Sequence, residues 1–302
     1  MKPEPLALDV EAARASALFD RAIFVLATPE TGAERLLRAL GALPGVAAAP
    51  VPTHLFSQGI GRLLDHWRLD PGPQALSGLA DAGDFLLAVR LLADAPLAAL
   101  AEAQGAEWVV EYSPGHPAHA EEIAGLYPDA RLVHLVRDGR QVAARLSSPV
   151  YGRPARYAAR QWIDDQRAVA DLEHEHLFVV RIEDLLAEPE GVLVELVAAL
   201  GIGDPPLAVA TDAVGRPRDL PAAMPGRAGA IVETVAYDLL AHFDYPAGGI
   251  GTSSRAAAWA EMLAASTAGV AGRLATETGS RAVGRARSFV RSIAEPRRGG
   301  DG

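Results

Sequence analysis

The stretch TPETGAE, residues 28–34, stands between an apolar run, AIFVLA at 22–27, and a segment with Leu36, Leu37 and Leu40 at helical spacing. A turn between a buried strand and a helix aims backbone N–H groups and the positive end of the helix dipole at one point, which suits a phosphate or a sulfate. An ordinary tight strand-to-helix connection has the same outline. Glu30 occupies a position where an anion loop wants a base. The stretch is not a Walker A loop, because Gly-x-x-x-x-Gly-Lys-Ser/Thr is absent. A second candidate is Arg137, at the exit of the apolar run ARLVHLVR at 130–137. A guanidinium is costly to hold there unless it meets an anion or pairs with a carboxylate such as Asp138 or Glu183. Glu183 and Asp184, in VVRIEDLLAEPEGVLVEL, stand at a strand end and read as caps of the segment that follows. His174 and His176 lack further ligands nearby, so no metal is assigned. Asp164 and Asp165 read as the wet face of a helix.

These residues need a frame. The pattern of apolar strand, turn and helix recurs at WVVEY (108–112), at 130–137 and at HLFVVRIED (176–184), each followed by helical spacing. The alternation predicts an α/β fold, a mostly parallel central sheet flanked by helices, with ligands gathered at the carboxyl ends of the strands. Residues 57–105 read as helical, with DAGDFLLAVRLLADAPLAALAEA, 81–103, split into two short helices at Pro96. The region 204–230 reads as a long loop before a helix at about 229–242. The main domain is expected over 1–247, with 248–302 as a linker and an Ala/Arg-rich, partly helical tail.

Composition narrows the function classes. The chain has 302 residues, half of them apolar, enough for a large core. It has no cysteine, which excludes disulfides, thiolate metal sites and a Cys nucleophile. Lys2 is the only lysine. The formal charge is −10, and residues 252–302 carry eight Arg against four acids, leaving 20 bases against 34 acids elsewhere. The body is therefore a poor nucleic-acid binder. The tail has the charge to touch an anionic surface or a partner. No apolar run reaches the roughly 20 residues of a membrane span, and the first residues lack the pattern of a signal peptide, so a cytoplasmic location is expected.

Taken together, IFVLATPETGAERLL, LVHLVRDGRQVAARL and VVRIEDLLAEPEGVLVEL resemble, in order and spacing, three motifs of the sulfotransferases that use 3′-phosphoadenosine 5′-phosphosulfate. They are similar to the 5′-phosphosulfate loop, the 3′-phosphate segment and the signature after the last strand. WVVEYSP resembles the third strand, and Trp162 a Trp often found before the last strand. The likeness spans about 20–245 and implies the P-loop NTPase-like sulfotransferase fold. By it the donor loop is Pro29, Glu30, Thr31, Gly32, Ala33 and Glu34. Glu30 stands at the basic position, and Ala33 and Glu34 at two Thr positions. Arg137 is the 3′-phosphate arginine, Arg145 stands at the accompanying Ser position, Tyr112 at a Lys position, and Arg227 is a further donor contact.

The implied reaction is sulfuryl transfer from 3′-phosphoadenosine 5′-phosphosulfate to a hydroxyl or amine of a small molecule or glycan, with no metal. His54, after the second strand, is the preferred base, and His116 the second choice. The competing expectation is a non-catalytic homologue that binds another ligand or a partner. A P-loop kinase is disfavoured, since the loop lacks both the Lys and the Mg²⁺-binding Ser/Thr. The acceptor pocket is expected from residues 55–105 and the loop near 204–228.

Overall fold

The structure is a computed structural model that describes residues 20–69, 82–216, 226–246, 248 and 257. Almost all of the expected tail, and the loop residues 217–225, lie outside the described residues. Each apolar run forms a strand. β1 (Ala22–Leu26) leads through the loop of interest into α1 (Ala33–Gly41) and the short β2 (Val46–Ala48). A wide turn at Leu55–Ile60 runs into α2 (Gly61–Leu69), and α3 (Ala82–Gln104) returns the chain to β3 (Trp108–Tyr112). A 3-10 turn at His116–His119 opens α4 (Ala120–Leu126), followed by β4 (Arg131–Val136) and α5 (Gly139–Leu146). Then come α6 (Ala155–Ala170), β5 (Leu177–Arg181), α7 (Ile182–Ala187) and α8 (Pro189–Leu200). Helices α9 (Ala208–Val214), α10 (Arg227–Val235) and α11 (Tyr237–His242) close the described part.

The five strands form one parallel sheet in the order β2-β3-β1-β4-β5. Side chains alternate across it, as a period of two requires. Ile23 and Val25 face a core with α1, α7, α8 and α9, whereas Phe24 and Leu26 face α2, α3 and α4. A third cluster lies between Val136, α5, α6, α10 and α11. Because the chain leaves β1 toward β2 on one side and places β4 on the other, the end of β1 is the switch point of the sheet, where crevices open. Among the described residues, helices cover both faces of the sheet, and the strand ends stay open to a ligand.

Two sequence expectations are corrected. Pro96 does not split α3, which runs through it. Pro96 and Leu92 are both exposed, so water can satisfy the Leu92 carbonyl that loses its N–H partner. On the buried side, Arg90 Nε pairs with Asp94 Oδ1 at 2.9 Å, and the Tyr127 hydroxyl donates to the same oxygen at 2.8 Å. The expected loop after 204 contains α9, whose Ala210 and Val214 are buried against the α1 side. Pro and Gly frequency masked a short apolar helix. Among the described residues no helix is long and apolar enough to cross a membrane.

Candidate active site

The loop after β1 is built by its own hydrogen bonds. Thr31 donates both its N–H (3.2 Å) and its hydroxyl (2.6 Å) to the Thr28 carbonyl, and Arg35 N–H donates to the Gly32 carbonyl at 3.0 Å. Two left-handed residues make the bend, Glu30 at φ 68° and Gly32 at φ 99°. Glycine adopts that region freely and Glu does not, so Glu30 is held there by something other than local preference. Gly32 caps α1 without a side-chain hydrogen bond, which leaves the first-turn amides of Ala33 and Glu34 uncapped by any side chain.

What holds Glu30 comes from the segment after β4. Arg137 Nη1 donates to the Glu30 carbonyl at 2.8 Å. Arg145 Nε meets Glu30 Oε2 at 2.9 Å, and the Tyr151 hydroxyl makes a short hydrogen bond to Oε1. The two positions that reverse or add charge relative to the expected motif are therefore bonded to each other. The local charge that Glu30 brings is met by the charge that Arg145 brings. Burial works against the charge of Arg137, and Glu183, Glu30 and Asp138 work in its favour. Glu183 follows the end of β5, as expected, but its side chain does not cap the segment that follows. It lies in the first turn of α7, accepting the Asp138 N–H at 3.1 Å and the Tyr245 hydroxyl at 2.8 Å. Asp138 caps α5 by accepting from Arg140 N at 2.9 Å, which sets the direction in which α5 carries Arg145 to the loop. A Cβ on Gly139 would stand 2.5 Å from the Trp162 ring, so glycine there lets α6 lie directly against α5.

Loop and segment together enclose a cleft of about 250 Å³ lined by Glu30, Gly32, Glu34, Arg35, Arg38, Arg137 and Arg145. Four arginines face two glutamates, an excess of two positive charges. Arg35 is anchored through Nη1 to the Val214 carbonyl at 2.9 Å. A larger groove of about 460 Å³ adjoins it, sharing Glu34 and Arg38, and is walled by Leu37, Ala49, Val51, Pro52 and Tyr112. Among the described residues of the stretches expected to wall an acceptor pocket, 55–105 and 204–228, Gln104 alone lines this groove; the rest of that rim is the segment just before position 55. Arg227 begins α10 on the surface and is not among the residues lining either cavity. Pro29, Thr31 and Ala33 shape the loop. Thr31 is buried and its hydroxyl is turned to the Thr28 carbonyl.

The two histidines differ. His54 is half-buried, left-handed at φ 53°, with its N–H on Ser113 Oγ at 2.8 Å and Nδ1 3.2 Å from Ser57 Oγ. A non-glycine residue kept in that conformation is over-determined by its surroundings, as site residues often are. His116 is fully buried: Nδ1 lies 3.1 Å from the Val25 carbonyl and Nε2 2.8 Å from Glu111 Oε2. Both neighbours are acceptors, so both ring nitrogens serve the fold. Glu111 also accepts from Ser113 Oγ at 2.7 Å, from Thr53 Oγ1 at 2.9 Å and from Thr53 N at 3.3 Å. Burial raises a carboxyl pKa, yet the charge and hydrogen bond of His116, with those of Ser113 and Thr53, bring Glu111 down to about 2. Sequence reasoning missed Glu111, although an acid inside the apolar strand WVVEY is a readable signal that a partner awaits it. Asp165 was misread as wet. It is buried, on the Trp162, Gln166 and Val169 side of α6, while Asp164 is the exposed one. No spacing rule could have found Tyr151. Among the described residues no cluster of side chains could hold a metal ion.

A family model described as the sulfotransferase family matches residues 22–206. No curated protein sequence matches. Solved structures similar to this chain include the sulfotransferase domain from the curacin biosynthetic pathway, at 18% identity over 75% of this chain and 98% of that one, with a TM-score of 0.47. The sulfotransferase domain of the Synechococcus olefin synthase matches at 18% identity over 80% and 94%, TM-score 0.44. A sulfotransferase of Mycobacterium tuberculosis matches at 19% over 68% and 73%, TM-score 0.41.

Proposed function

Because this chain belongs to the sulfotransferase family, we propose that it transfers a sulfuryl group from 3′-phosphoadenosine 5′-phosphosulfate to a hydroxyl or amine of a small molecule or glycan. The observation that carries the proposal is the convergence of the Gly32 loop with Arg137 and Arg145 on one positively charged cleft at the end of the central strand. The uncapped amides of Ala33 and Glu34 suit the sulfuryl end of the donor, and Arg137 and Arg145 suit its phosphates. The adjoining groove, with apolar walls and the Tyr112 phenol, suits the body of the acceptor.

In the reaction the acceptor oxygen or nitrogen forms a bond to sulfur as the bond from sulfur to the phosphate oxygen breaks. His54 takes the acceptor's proton. The loop amides and Arg137 meet the negative charge left on the phosphate. His54 is preferred to His116 because His116 is fully enclosed, with both ring nitrogens engaged.

The Glu30 carboxylate in the loop favours a second reading, a homologue that keeps the fold and has given up the donor. Calorimetry with 3′-phosphoadenosine 5′-phosphate, the product of the donor, separates the two. Binding in the micromolar range that Arg137→Ala abolishes supports the enzyme. Absence of binding at millimolar nucleotide would leave only the second reading.

A further inference from the structure

Behind the loop, on the side away from α1, lies a chain of buried polar groups that no step above uses. His134 Nε2 is 2.9 Å from Gln166 Oε1, and Gln166 Nε2 donates to the Thr28 hydroxyl at 3.1 Å. Burial lowers the pKa of His134 to about 4, so the ring is neutral and donates to the amide oxygen. That fixes the amide, which leaves the Thr28 hydroxyl proton for the Asp165 carboxyl, its other partner. Asp165 is 7% exposed, and its Oδ2 has no hydrogen-bond partner among the described residues. Thr28 in turn supplies the carbonyl on which Thr31 closes the loop. A carboxyl with one idle oxygen is thus one hydroxyl away from the backbone that would receive the donor's anion.

The groups facing Asp165 do not neutralise it by pairing. Arg153, in the connection from α5, draws it toward ionisation, and Asp164 on its own helix opposes this. The Tyr112 phenol, at the end of β3, is near enough to feel its charge. The 3-10 turn contacting α6 carries His116, already committed to Glu111. From α5, α10 and α11 come apolar side chains, among them Val142, Leu146, Ile231, Val232 and Leu239, together with the buried Glu233 of α10, paired with Arg140 of α5 at 3.4 Å, and His242 of α11, whose charge acts on His134. The 3-10 turn also carries His119.

We infer that Asp165 is a proton-linked positioning residue of the anion loop: when a sulfuryl or phosphoryl group enters the loop, Asp165 takes a proton from solvent onto Oδ2 and keeps its bond to Thr28. The inference rests on the reading of the loop as an anion site. Its physical reason is that two negative charges, one buried under the loop and one in it, repel each other in a poorly screened place. Desolvation sets Asp165 to respond near neutrality, with its pKa raised to about 7. Anion entry raises it further, so the anion binds more tightly at lower pH.

Inorganic sulfate is the probe, because it does not titrate between pH 6 and 8.5. Its affinity for the whole protein is measured by calorimetry across that range at constant ionic strength, in buffers of different ionisation enthalpy. The wild type is expected to lose about tenfold in affinity toward pH 8.5, the equivalent of one pKa unit of coupling, with net proton uptake on binding. Asp165→Asn is expected to bind sulfate with little dependence on pH. An equal pH dependence in Asp165→Asn, or none in the wild type, overturns the role of Asp165 and leaves the anion site standing. No sulfate binding at any pH overturns the anion site, and this inference with it. If Asp165→Asn does not fold, carboxyl carbon NMR of the wild type decides. A buried aspartate that titrates near neutrality and moves upward with sulfate supports the inference, and one that does not move refutes it.

Discussion

Replacing Glu30 with Gln should tighten binding of 3′-phosphoadenosine 5′-phosphate. The Glu30 carboxylate is 2.9 Å from Arg145, with side-chain exposures of 18% and 27%, so the pair is partly wet and is itself worth only about 1 kcal/mol. A phosphate group about 6 Å from that carboxylate, at an effective dielectric near 20, is repelled by about 3 kcal/mol. Solvent reaching both side chains reduces this to roughly 1.5–3 kcal/mol, a gain of about ten- to hundredfold in affinity when the charge is removed. Gln keeps the length of the side chain and can still accept from Tyr151, so the loop is retained. Calorimetry of wild type, Glu30→Gln, Arg145→Ala and the double variant completes a cycle. Arg145→Ala alone should weaken binding, and Glu30→Gln should gain more when Arg145 is present to be released. If Glu30→Gln binds no better than wild type, or worse, then Glu30 serves to aim Arg145 and the repulsion argument is wrong.

Two further outcomes are expected. His54→Ala should lower sulfuryl transfer from an aryl sulfate to 3′-phosphoadenosine 5′-phosphate, read by phenol release, by about 10²–10⁴-fold with nucleotide binding unchanged; near-normal transfer removes His54 from the mechanism. Glu111, brought down from 4.5 to about 2, binds fewer protons folded than unfolded in that interval. Its contribution is therefore present above pH 4.5 and lost as the pH falls toward 2, an amount of about 3 kcal/mol. Denaturant unfolding at pH 7, 4 and 3 should show this acid slope in the wild type and a flatter one in Glu111→Gln, and identical slopes would mean that the buried pair is not the acid-sensitive element.

The sheet was legible because its strands are nearly all apolar and each is followed by a change to helical spacing. A parallel strand buried on both faces writes itself as a run such as AIFVLA. Pro96 was misleading, because an exposed proline can sit within a helix that is anchored on its other side by the buried Arg90, Asp94 and Tyr127. In the site, the loop and Arg137 were readable from local context, since each is defined by its position at a strand end. What joins them was not. Arg145 and Glu30 are 115 positions apart, and Tyr151 and Glu30 are 121 apart, so their pairing exists only after the sheet has brought β1 and β4 side by side. Asp165 was partly legible: it shares a helix face with Trp162 and Val169, and that periodicity argues for burial over wetness.

The left-handed backbone at position 30 has a consequence for how this site can change by single substitutions. Glu and Arg, both unbranched at Cβ, meet a similar steric penalty there, of about 1–2 kcal/mol. Exchanging one for the other is therefore a change of charge with little change of backbone cost. Replacing Glu30 by Arg while Arg145 remains would set two cations against each other where an ion pair stood. Replacing Arg145 by Ser while Glu30 remains would leave a carboxylate in the cleft without its partner cation. Each single step crosses a less stable intermediate, and only the double step restores balance. Residues 30 and 145 thus form one electrostatic unit, in which the charge that suits one position depends on the charge present at the other.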